Sequence, residues 1–254
     1  MMYLGCAGWS VPRPYVQDFP HLGSHLQRYA VRFGAVEINS SFYRAHRPQT
    51  YARWAASVPE GFRFAVKLPQ TITHECRLSG CEALLDACLE QFGQLRDRLG
   101  CLLVQLPPSL EYEEKVAQHF FESLRIRYPG PAAIEPRHSS WRAAHSMLLE
   151  FQIAQVAASP SRFEVDALPG GWPGLVYWRL HGVPRIYYSA YSEEYLQRLA
   201  AQLEVSITKN VPVWCIFDNT TSGAALGNAL AMQSYLMQRT QFAPHHTEVG
   251  PMSD

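Results

Sequence analysis

The sequence predicts one α/β domain, a TIM-like (β/α)8 barrel over residues 1–239 with an irregular sixth unit. The 254 residues of the chain are the usual length of one such barrel. Short segments dominated by apolar residues recur along the chain, and each ends in polar or ionisable residues. Polar groups at the carboxyl ends of strands are what a parallel α/β barrel presents at its working face. Six such apolar segments occur: Ala35–Ile38, Phe62–Val66, Cys101–Val104, Pro131–Ile134, Leu175–Trp178 and Val213–Phe217.

The helices between these strands are predicted from apolar residues at three- and four-residue spacing. A first strand is predicted at Tyr3–Gly8, and the loop over residues 68–78 is expected to lie over the working face. In the sixth unit, a strand over residues 153–158 precedes a loop-like segment, 159–174. The polar, aperiodic residues 240–254 are predicted to form a disordered C-terminal tail. The predicted helices cover residues 26–33, 51–56, 85–99, 116–124, 196–207 and 222–239.

The balance of acidic and basic residues argues against a partner that is attracted by the net charge of the protein. Lys and Arg together number 22, as do Asp and Glu, so the net charge would not draw the chain to nucleic acid or to an anionic membrane. A nucleic-acid partner would have to bind a local basic patch. The N-terminal segment lacks a signal-peptide pattern, and no segment approaches the roughly 18 apolar residues of a membrane span. We therefore expect a cytoplasmic protein with free thiols and no membrane partner.

The ionisable residues at the strand ends predict one polar site. We expect Glu135 to act as general acid or base, tuned by Arg137, and His181 to be the second proton-transfer group. Lys67 and Arg179 would neutralise negative charge on the substrate. The competing interpretation is that these side chains form salt bridges that close one end of the barrel. The catalytic candidates are Glu135, His181, Lys67 and Asp218, and the substrate-binding candidates are Glu37, Asn39, Tyr43, His74, Arg137, Trp141, Arg179, Asn219, Thr220 and Trp9.

Two groups among these candidates indicate the kind of ligand. The segment Asp218–Gly223 follows the last strand and opens the final helix, where hydroxyls and free backbone N–H groups can hold a phosphate. The alternative is plain N-capping by Thr220 or Thr221. The aromatic side chains of Trp9, Tyr43 and Trp141 lie just past strand ends, where they could stack on a sugar or a base.

The charged residues at the predicted rim could either bind a metal or pair with one another. His74, Glu135, His181 and Asp218 could together bind zinc or manganese. No H-x-x-x-H or H-x-H spacing supports such a site, and three carboxylates face three cations at the predicted rim. Unpaired charges are costly in a partly dry pocket, so the equal numbers favour ion pairs. The sequence therefore predicts no bound metal, with a divalent cation as the disfavoured alternative.

Several motifs together resemble the domain-of-unknown-function 72 family, the YecE-like proteins. They run from end to end of the chain. The first loop departs from the family pattern, since Tyr15 and Asp18–Pro20 stand where a tryptophan and Phe-Tyr-Pro are usual, and Asp218 stands where asparagine is commoner. The matching stretches are Gly5–Trp9, Val36–Arg44, Phe64–Lys67, Ile72–His74, Gln105–Pro108, Glu135–Trp141, Trp178–Gly182, Phe217–Thr220 and Asn228–Leu230.

The resemblance implies a TIM-like barrel and no settled activity. The family's barrel is similar to those of the endonuclease IV and xylose isomerase group, which points to sugar or nucleic-acid phosphates by fold analogy. Our leading hypothesis is a hydrolase or lyase that acts on a polar, phosphate-bearing substrate in a cleft at the strand ends. One alternative is a non-catalytic binding module for a nucleotide, a sugar phosphate or single-stranded nucleic acid. The other is a metal-dependent phosphodiesterase of the endonuclease IV type.

Overall fold

The structure, a computed structural model, describes residues 1–163 and 167–241 and has a mixed α/β fold. No helix among these residues is long and apolar enough to cross a membrane. The strands are β1 (Met2–Cys6), β2 (Ala35–Ile38), β3 (Arg63–Lys67), β4 (Leu99–Gln105), β5 (Ala132–Glu135), β6 (Ile153–Gln155), β7 (Ala157–Ser159), β8 (Gly170–Gly171), β9 (Val176–Leu180) and β10 (Val213–Phe217). The α-helices are α1 (His25–Ala30), α2 (Pro48–Ala56), α3 (Glu82–Phe92), α4 (Glu114–Arg127), α5 (His145–Glu150), α6 (Glu193–Thr208) and α7 (Ala224–Gln241).

The strands form two sheets that are parallel except for one pair. The first has the order β1-β10-β9-β7, and the second has the order β2-β3-β4-β5-β6-β8. Only β6 and β8, among the described strands, pair antiparallel. Helices separate most consecutive parallel strands, as crossover connections require.

Alternate strand residues divide the core into two layers. One set packs with the helices, and the other forms a separate apolar cluster along the strands. Because alternate side chains share one face of a strand, the same face continues to the carboxyl ends of the strands. There, charged residues take the place of the apolar ones. Glu37 follows Ala35, Lys67 follows Ala65, and Glu135 follows Ala133 in this way. The members of this inner cluster are Ala7, Ala35, Ala65, Cys101, Leu103, Ala133, Ala154, Val156, Leu175, Tyr177, Trp214 and Ile216.

The two sheets meet at two places. Strands β6 and β7 are separated only by Val156, yet β6 pairs with β5 and β7 pairs with β9. At the other place β1 approaches β2 so closely that a Cβ on Gly5 would lie 2.0 Å from the carbonyl oxygen of Ala35. The hydroxyl of Tyr29 bridges these strands, accepting from the Cys6 N–H at 2.8 Å and donating to the Ala35 carbonyl at 3.0 Å.

The structure corrects several predicted boundaries. The helix predicted over residues 85–99 ends at Phe92, because a 3-10 segment, Gly93–Arg98, follows with Arg96 at φ 53°, and Leu99 already begins β4. The loop predicted over residues 68–78 contains a π-helix, Thr71–Glu75. In the sixth unit, β6 and β7 replace one strand, and residues 160–163 and 167–175 contain no α-helix.

The predicted tail lies mostly outside the described residues. Helix α7 continues to Gln241, two residues past the predicted helix end at Arg239. The remaining part, 242–254, is not described. All six cysteines are free, as predicted.

We expect Tyr29→Phe to destabilise the fold by about 1–3 kcal/mol, because the buried Cys6 N–H and Ala35 carbonyl both lose their side-chain partner. Urea unfolding followed by circular dichroism would measure the change.

Tyr43→Phe is the matched control. It removes the same atom from a side chain that is 68% exposed, so unfolding should change by less than about 0.5 kcal/mol. Equal effects of the two substitutions would contradict a bridging role for the Tyr29 hydroxyl.

Candidate functional site

Arg179, in β9, lies at the centre of the charged layer with its guanidinium fully buried. Its Nε and Nη2 atoms donate to the two carboxylate oxygens of Glu37 at 3.0 and 2.7 Å. Nη1 donates to Glu135 Oε2 at 2.6 Å, and Nη2 donates to Asp218 Oδ2 at 3.0 Å. The Tyr177 hydroxyl, two residues earlier in β9, donates to Glu37 Oε2 at 2.9 Å. Arg179 thus offsets the cost of burying three negative charges.

His181 lies between two of these carboxylates. Its Nδ1 is 3.1 Å from Asp218 Oδ2, and its Nε2 is 3.0 Å from Glu135 Oε1. Burial by itself would lower the pKa of His181, but the charge of Glu135 and the hydrogen bonds to both carboxylates raise it above its ordinary value. Both ring nitrogens can donate only in the imidazolium form. The site therefore favours a protonated His181.

Glu135, at the end of β5, accepts hydrogen bonds from three side chains. Besides Arg179 and His181, Arg137 contacts its Oε1 through Nε at 3.0 Å and Nη2 at 2.8 Å. Burial by itself would raise the pKa of Glu135, but the charges of Arg179, His181 and Arg137 hold it well below the usual range. Glu135 is therefore an ionised carboxylate. The remaining terminal nitrogen of Arg137 reaches the Tyr187 hydroxyl at 3.4 Å.

Lys67, at the end of β3, differs from the other cations of the site. It is 6% exposed, and its Nζ forms no hydrogen bond or ion pair with any described residue. The Nζ instead lies 3.8 Å from the centre of the Phe42 ring. Burial and the nearby charge of Arg179 lower the pKa of Lys67 to about 8, although the surrounding carboxylates oppose the shift.

A cavity of about 250 Å³ adjoins this cluster. Glu135 and His181 contribute to its wall, and Arg137 and Arg162 add positive charge. Strand β7 and the segments that follow β5, β7 and β9 provide the rest of the lining. The lining residues are Glu135, Pro136, Arg137, Ala158, Pro160, Ser161, Arg162, His181 and Ile186.

Three of the other predicted binding residues lie near the Lys67 side of the cluster. His74 packs edge-on against Phe42, with ring centres 4.9 Å apart. Burial and the charges of Lys67 and Arg137 lower the pKa of His74. Asn39 precedes the 3-10 helix Ser40–Phe42, and its Oδ1 is buried with no partner among the described residues. Tyr43 follows that helix and is 68% exposed.

The other four predicted binding residues do not join the cluster. Trp141 is 2% exposed and donates to the Leu110 carbonyl at 2.9 Å, so it belongs to the core and presents no face to a ligand. Trp9 packs edge-on against another indole. Asn219 is fully buried and donates to backbone and side-chain oxygens nearby. Thr220 is exposed and lines a separate cavity of about 230 Å³.

Several residues of the site are not among those predicted from the sequence. Tyr177 could have been found, because the period of two places it on the same face of its strand as Arg179. Tyr187 and Arg162 come from the segments after β9 and β7. No periodicity marks such positions, and only the folded chain brings them to Arg137 or to the cavity.

The carboxylates of the cluster are poorly suited to hold a metal ion. Five of the six oxygens of Glu37, Glu135 and Asp218 already accept hydrogen bonds from arginine, histidine or tyrosine. Within the described ranges, no three His, Cys, Asp or Glu side chains form a group that could hold a metal. The predicted lack of a metal stays a prediction.

Fold and site together define a class: an α/β protein whose parallel strands bring buried ion pairs together at their carboxyl ends. The chain belongs to the DUF72 family, whose description is "protein of unknown function" and whose model matches residues 3–251. The family predicted from the sequence motifs is therefore confirmed.

The named relatives and solved structures carry no functional description. A stretch of 147 residues, 56% of this chain, is 33% identical to the UPF0759 protein YecE of Escherichia coli strain K12 and covers 51% of it. A stretch of 150 residues, again 56% of this chain, is 26% identical to the UPF0759 protein YunF of Bacillus subtilis strain 168 and covers 52% of it. The matches thus span about half the length of these curated relatives.

Two solved structures are similar over nearly the whole chain. A DUF72 family protein from Thermotoga maritima MSB8 has 26% identity and a TM-score of 0.75, with 93% of this chain and 99% of that chain covered. One from Enterococcus faecalis V583 has 24% identity and a TM-score of 0.76, with 93% and 96% covered. The latter likeness concerns the fold alone.

We expect Arg179→Met to destabilise the protein by about 3–5 kcal/mol at pH 7, because three buried carboxylates lose their shared cation. In the wild type, the depressed pKa values of Glu135 and Asp218 contribute stability at neutral pH that is lost as the pH falls through them. Without Arg179, burial should raise these pKa values instead. The difference between variant and wild type should therefore narrow as the pH falls from 7 toward about 4.

The control is Arg239→Met, which removes an arginine that is 44% exposed and pairs with Glu204. Such a surface pair contributes at most about 1 kcal/mol. Denaturant titrations at pH 4, 5.5 and 7 would compare the variants. A pH-independent loss in Arg179→Met would contradict the carboxylate explanation.

Proposed function

We propose that the protein is an enzyme of the hydrolase or lyase type that acts on a small phosphate-bearing substrate in the cavity beside His181. The observation that carries the proposal is an excess of positive charge at this cavity. The cluster holds three carboxylates, Glu37, Glu135 and Asp218. Four groups that can be cationic face them, and Arg162 adds a further charge at the cavity wall.

We propose further that the two sheets are parts of one closed (β/α)8 barrel. The pairing of β6 with β5 and of β7 with β9 supports this, because one strand bent at Val156 would then join the sheets. The Tyr29 bridge between β1 and β2 supports closure on the other side. Counting β6 and β7 as one strand and leaving out β8 gives eight strands, and the charged layer would then lie at the catalytic end of the barrel.

Arg137 and Arg162 are the groups to which we assign the phosphate. Arginine presents several donors in a plane and suits phosphate oxygens better than a point charge does. Glu135 holds the Arg137 guanidinium through Nε and Nη2, which leaves Nη1 available for a ligand apart from its long contact with Tyr187. Arg179 has four donors engaged by carboxylates. We therefore assign it to positioning Glu37, Glu135 and Asp218 and assign charge neutralisation to Arg137.

His181 is the group to which we assign proton transfer. Asp218 orients the ring through Nδ1, which leaves Nε2 with its proton directed at Glu135 in the wall of the cavity. A substrate oxygen in the cavity could take that proton, while Glu135 stabilises the charged ring. Because the pKa of His181 is raised, a reaction that needs the imidazolium should slow as the pH rises through that value.

Arg137→Met should abolish the binding of inorganic phosphate without unfolding the protein, because its side chain is 19% exposed and lies at the cavity wall. The measurement is the rise in melting temperature with phosphate concentration. In the wild type, phosphate at 100 times its Kd should stabilise the fold by about 2.7 kcal/mol.

Arg142→Met is the control for phosphate binding, since Arg142 is exposed and does not line the cavity. It should respond to phosphate as the wild type does. Loss of the response in both variants, or in neither, would contradict phosphate binding at Arg137.

His181→Gln should lower turnover of a phosphorylated substrate by roughly 10²-fold or more, the usual contribution of general acid–base catalysis. Phosphate binding should survive. The assay would screen sugar phosphates and nucleotides by thermal shift and then measure product formation for each compound that binds.

His138→Gln serves as the control for turnover, because His138 is part-buried outside the cavity lining and contacts Ser140. Its turnover should match the wild type. Saturable binding with no product for any compound would favour the non-catalytic binding module over an enzyme.

A further inference from the structure

Lysine is rare in this chain, and one of its three copies is buried in the site. Of 22 basic residues only Lys67, Lys115 and Lys209 are lysines. Lys115 and Lys209 are exposed, whereas Lys67 is 6% exposed. The other permanent cations of the cluster are arginines. The presence of a buried lysine at the end of β3 therefore needs a chemical explanation.

The amine of Lys67 stands beside carboxylates without pairing with them. Arg179, Arg137, His181 and Tyr177 occupy five of the six carboxylate oxygens, as described above. Among the described residues, only the face of the Phe42 ring contacts the Nζ as a favourable partner for a cation. Lys67 is nevertheless not completely enclosed, since it keeps 6% of its surface exposed.

These surroundings favour a neutral amine more than an ordinary surface lysine does. Burial and the charge of Arg179 lower the pKa of Lys67 to about 8. At pH 7 roughly a tenth of the molecules would therefore carry the free amine, against fewer than about one in a thousand for an unperturbed lysine. A desolvated lysine next to another cation is the usual form of an amine nucleophile.

We propose that Lys67 is a nucleophile whose amine condenses with the carbonyl group of an anionic substrate to form a covalent imine. The anionic group would be held at Arg137, and this part rests on the function proposed above. The substrate class is thereby narrowed to a phosphate-bearing aldehyde or ketone, and the reaction class to lyase chemistry. Electrons withdrawn into the protonated imine would assist cleavage or proton loss at the neighbouring carbon.

The step balances without an oxidant or a reductant. The Nζ lone pair attacks the carbonyl carbon, a C–N bond forms, and the carbonyl oxygen takes up a proton. The C–O bond then breaks, and the oxygen leaves as water while the nitrogen keeps one proton in the iminium ion. Overall one proton enters from solvent and one water is released.

Reductive trapping tests the proposal on the intact wild-type chain. The protein is incubated with glyceraldehyde 3-phosphate and sodium cyanoborohydride, which reduces the imine to a stable secondary amine. Peptide mass mapping then gives the rate of modification at each lysine. We expect Lys67 to be modified at least roughly tenfold faster than Lys115 or Lys209, because more of its amine is deprotonated.

Two matched comparisons separate this proposal from the proposed function. Glyceraldehyde, which lacks the phosphate, is used in parallel, and the variant Lys115→Arg/Lys209→Arg leaves Lys67 as its only lysine. Preference for Lys67 with both aldehydes at equal rates would support the nucleophile and contradict the phosphate site. No preference for Lys67 with either aldehyde would overturn the imine proposal, whatever the response of the melting temperature to phosphate.

The pH dependence of trapping gives a second readout. The rate at Lys67 should rise as the pH rises and level off above about 8, where the amine is mostly free. The charges of Arg179, Glu37, Asp218 and Glu135 act on this amine. Lys67 in turn acts on His74. A rate at Lys67 that still rises tenfold between pH 9 and pH 10 would contradict the proposed nucleophile.

Discussion

The buried guanidinium of Arg179 is the interaction on which the rest of the site depends. Glu37 and Glu135 belong to the six-stranded sheet, whereas Arg179 and Asp218 belong to the four-stranded sheet or follow it directly. The ion pairs therefore hold the two sheets together at their carboxyl ends. Without this guanidinium, three carboxylates so close together would repel one another strongly in a dry interior. Arg179 makes their proximity possible and fixes their orientation.

Saturation of the carboxylates determines what is left to react. Their oxygens accept from Arg179, Arg137, His181 and Tyr177, so the cluster presents few free acceptors to a ligand. The groups with unused capacity are donors or potential nucleophiles at the edge, above all Lys67. At the cavity, Arg137, Arg162 and His181 outnumber the single carboxylate of Glu135. This balance of charge suits an anionic ligand.

The sequence predicted that the site lies at the carboxyl ends of the strands, but it did not predict the individual ion pairs. Strand alternation places Glu37, Lys67, Glu135 and Arg179 at the carboxyl ends because side chains on one face repeat every two residues. Which cation meets which carboxylate depends on strand order and stagger, which a single sequence does not encode locally. The environment of Trp141 was likewise not encoded locally. Although Trp141 follows a strand, it packs into the core and donates to the Leu110 carbonyl.

The equal count of charges predicted pairing, and the structure shows why an equal count does not mean uniform pairing. Arginine has several donors and can serve more than one carboxylate, as Arg179 does with three. Arginines, His181 and Tyr177 take five of the six carboxylate oxygens, and the single buried lysine forms no ion pair with any described carboxylate. Burial and the charge of Arg179 lower the pKa of this amine to about 8, although the nearby carboxylates oppose the shift. Arginine pairs with the carboxylates and lysine does not, and this difference follows from the donor geometry of the two side chains.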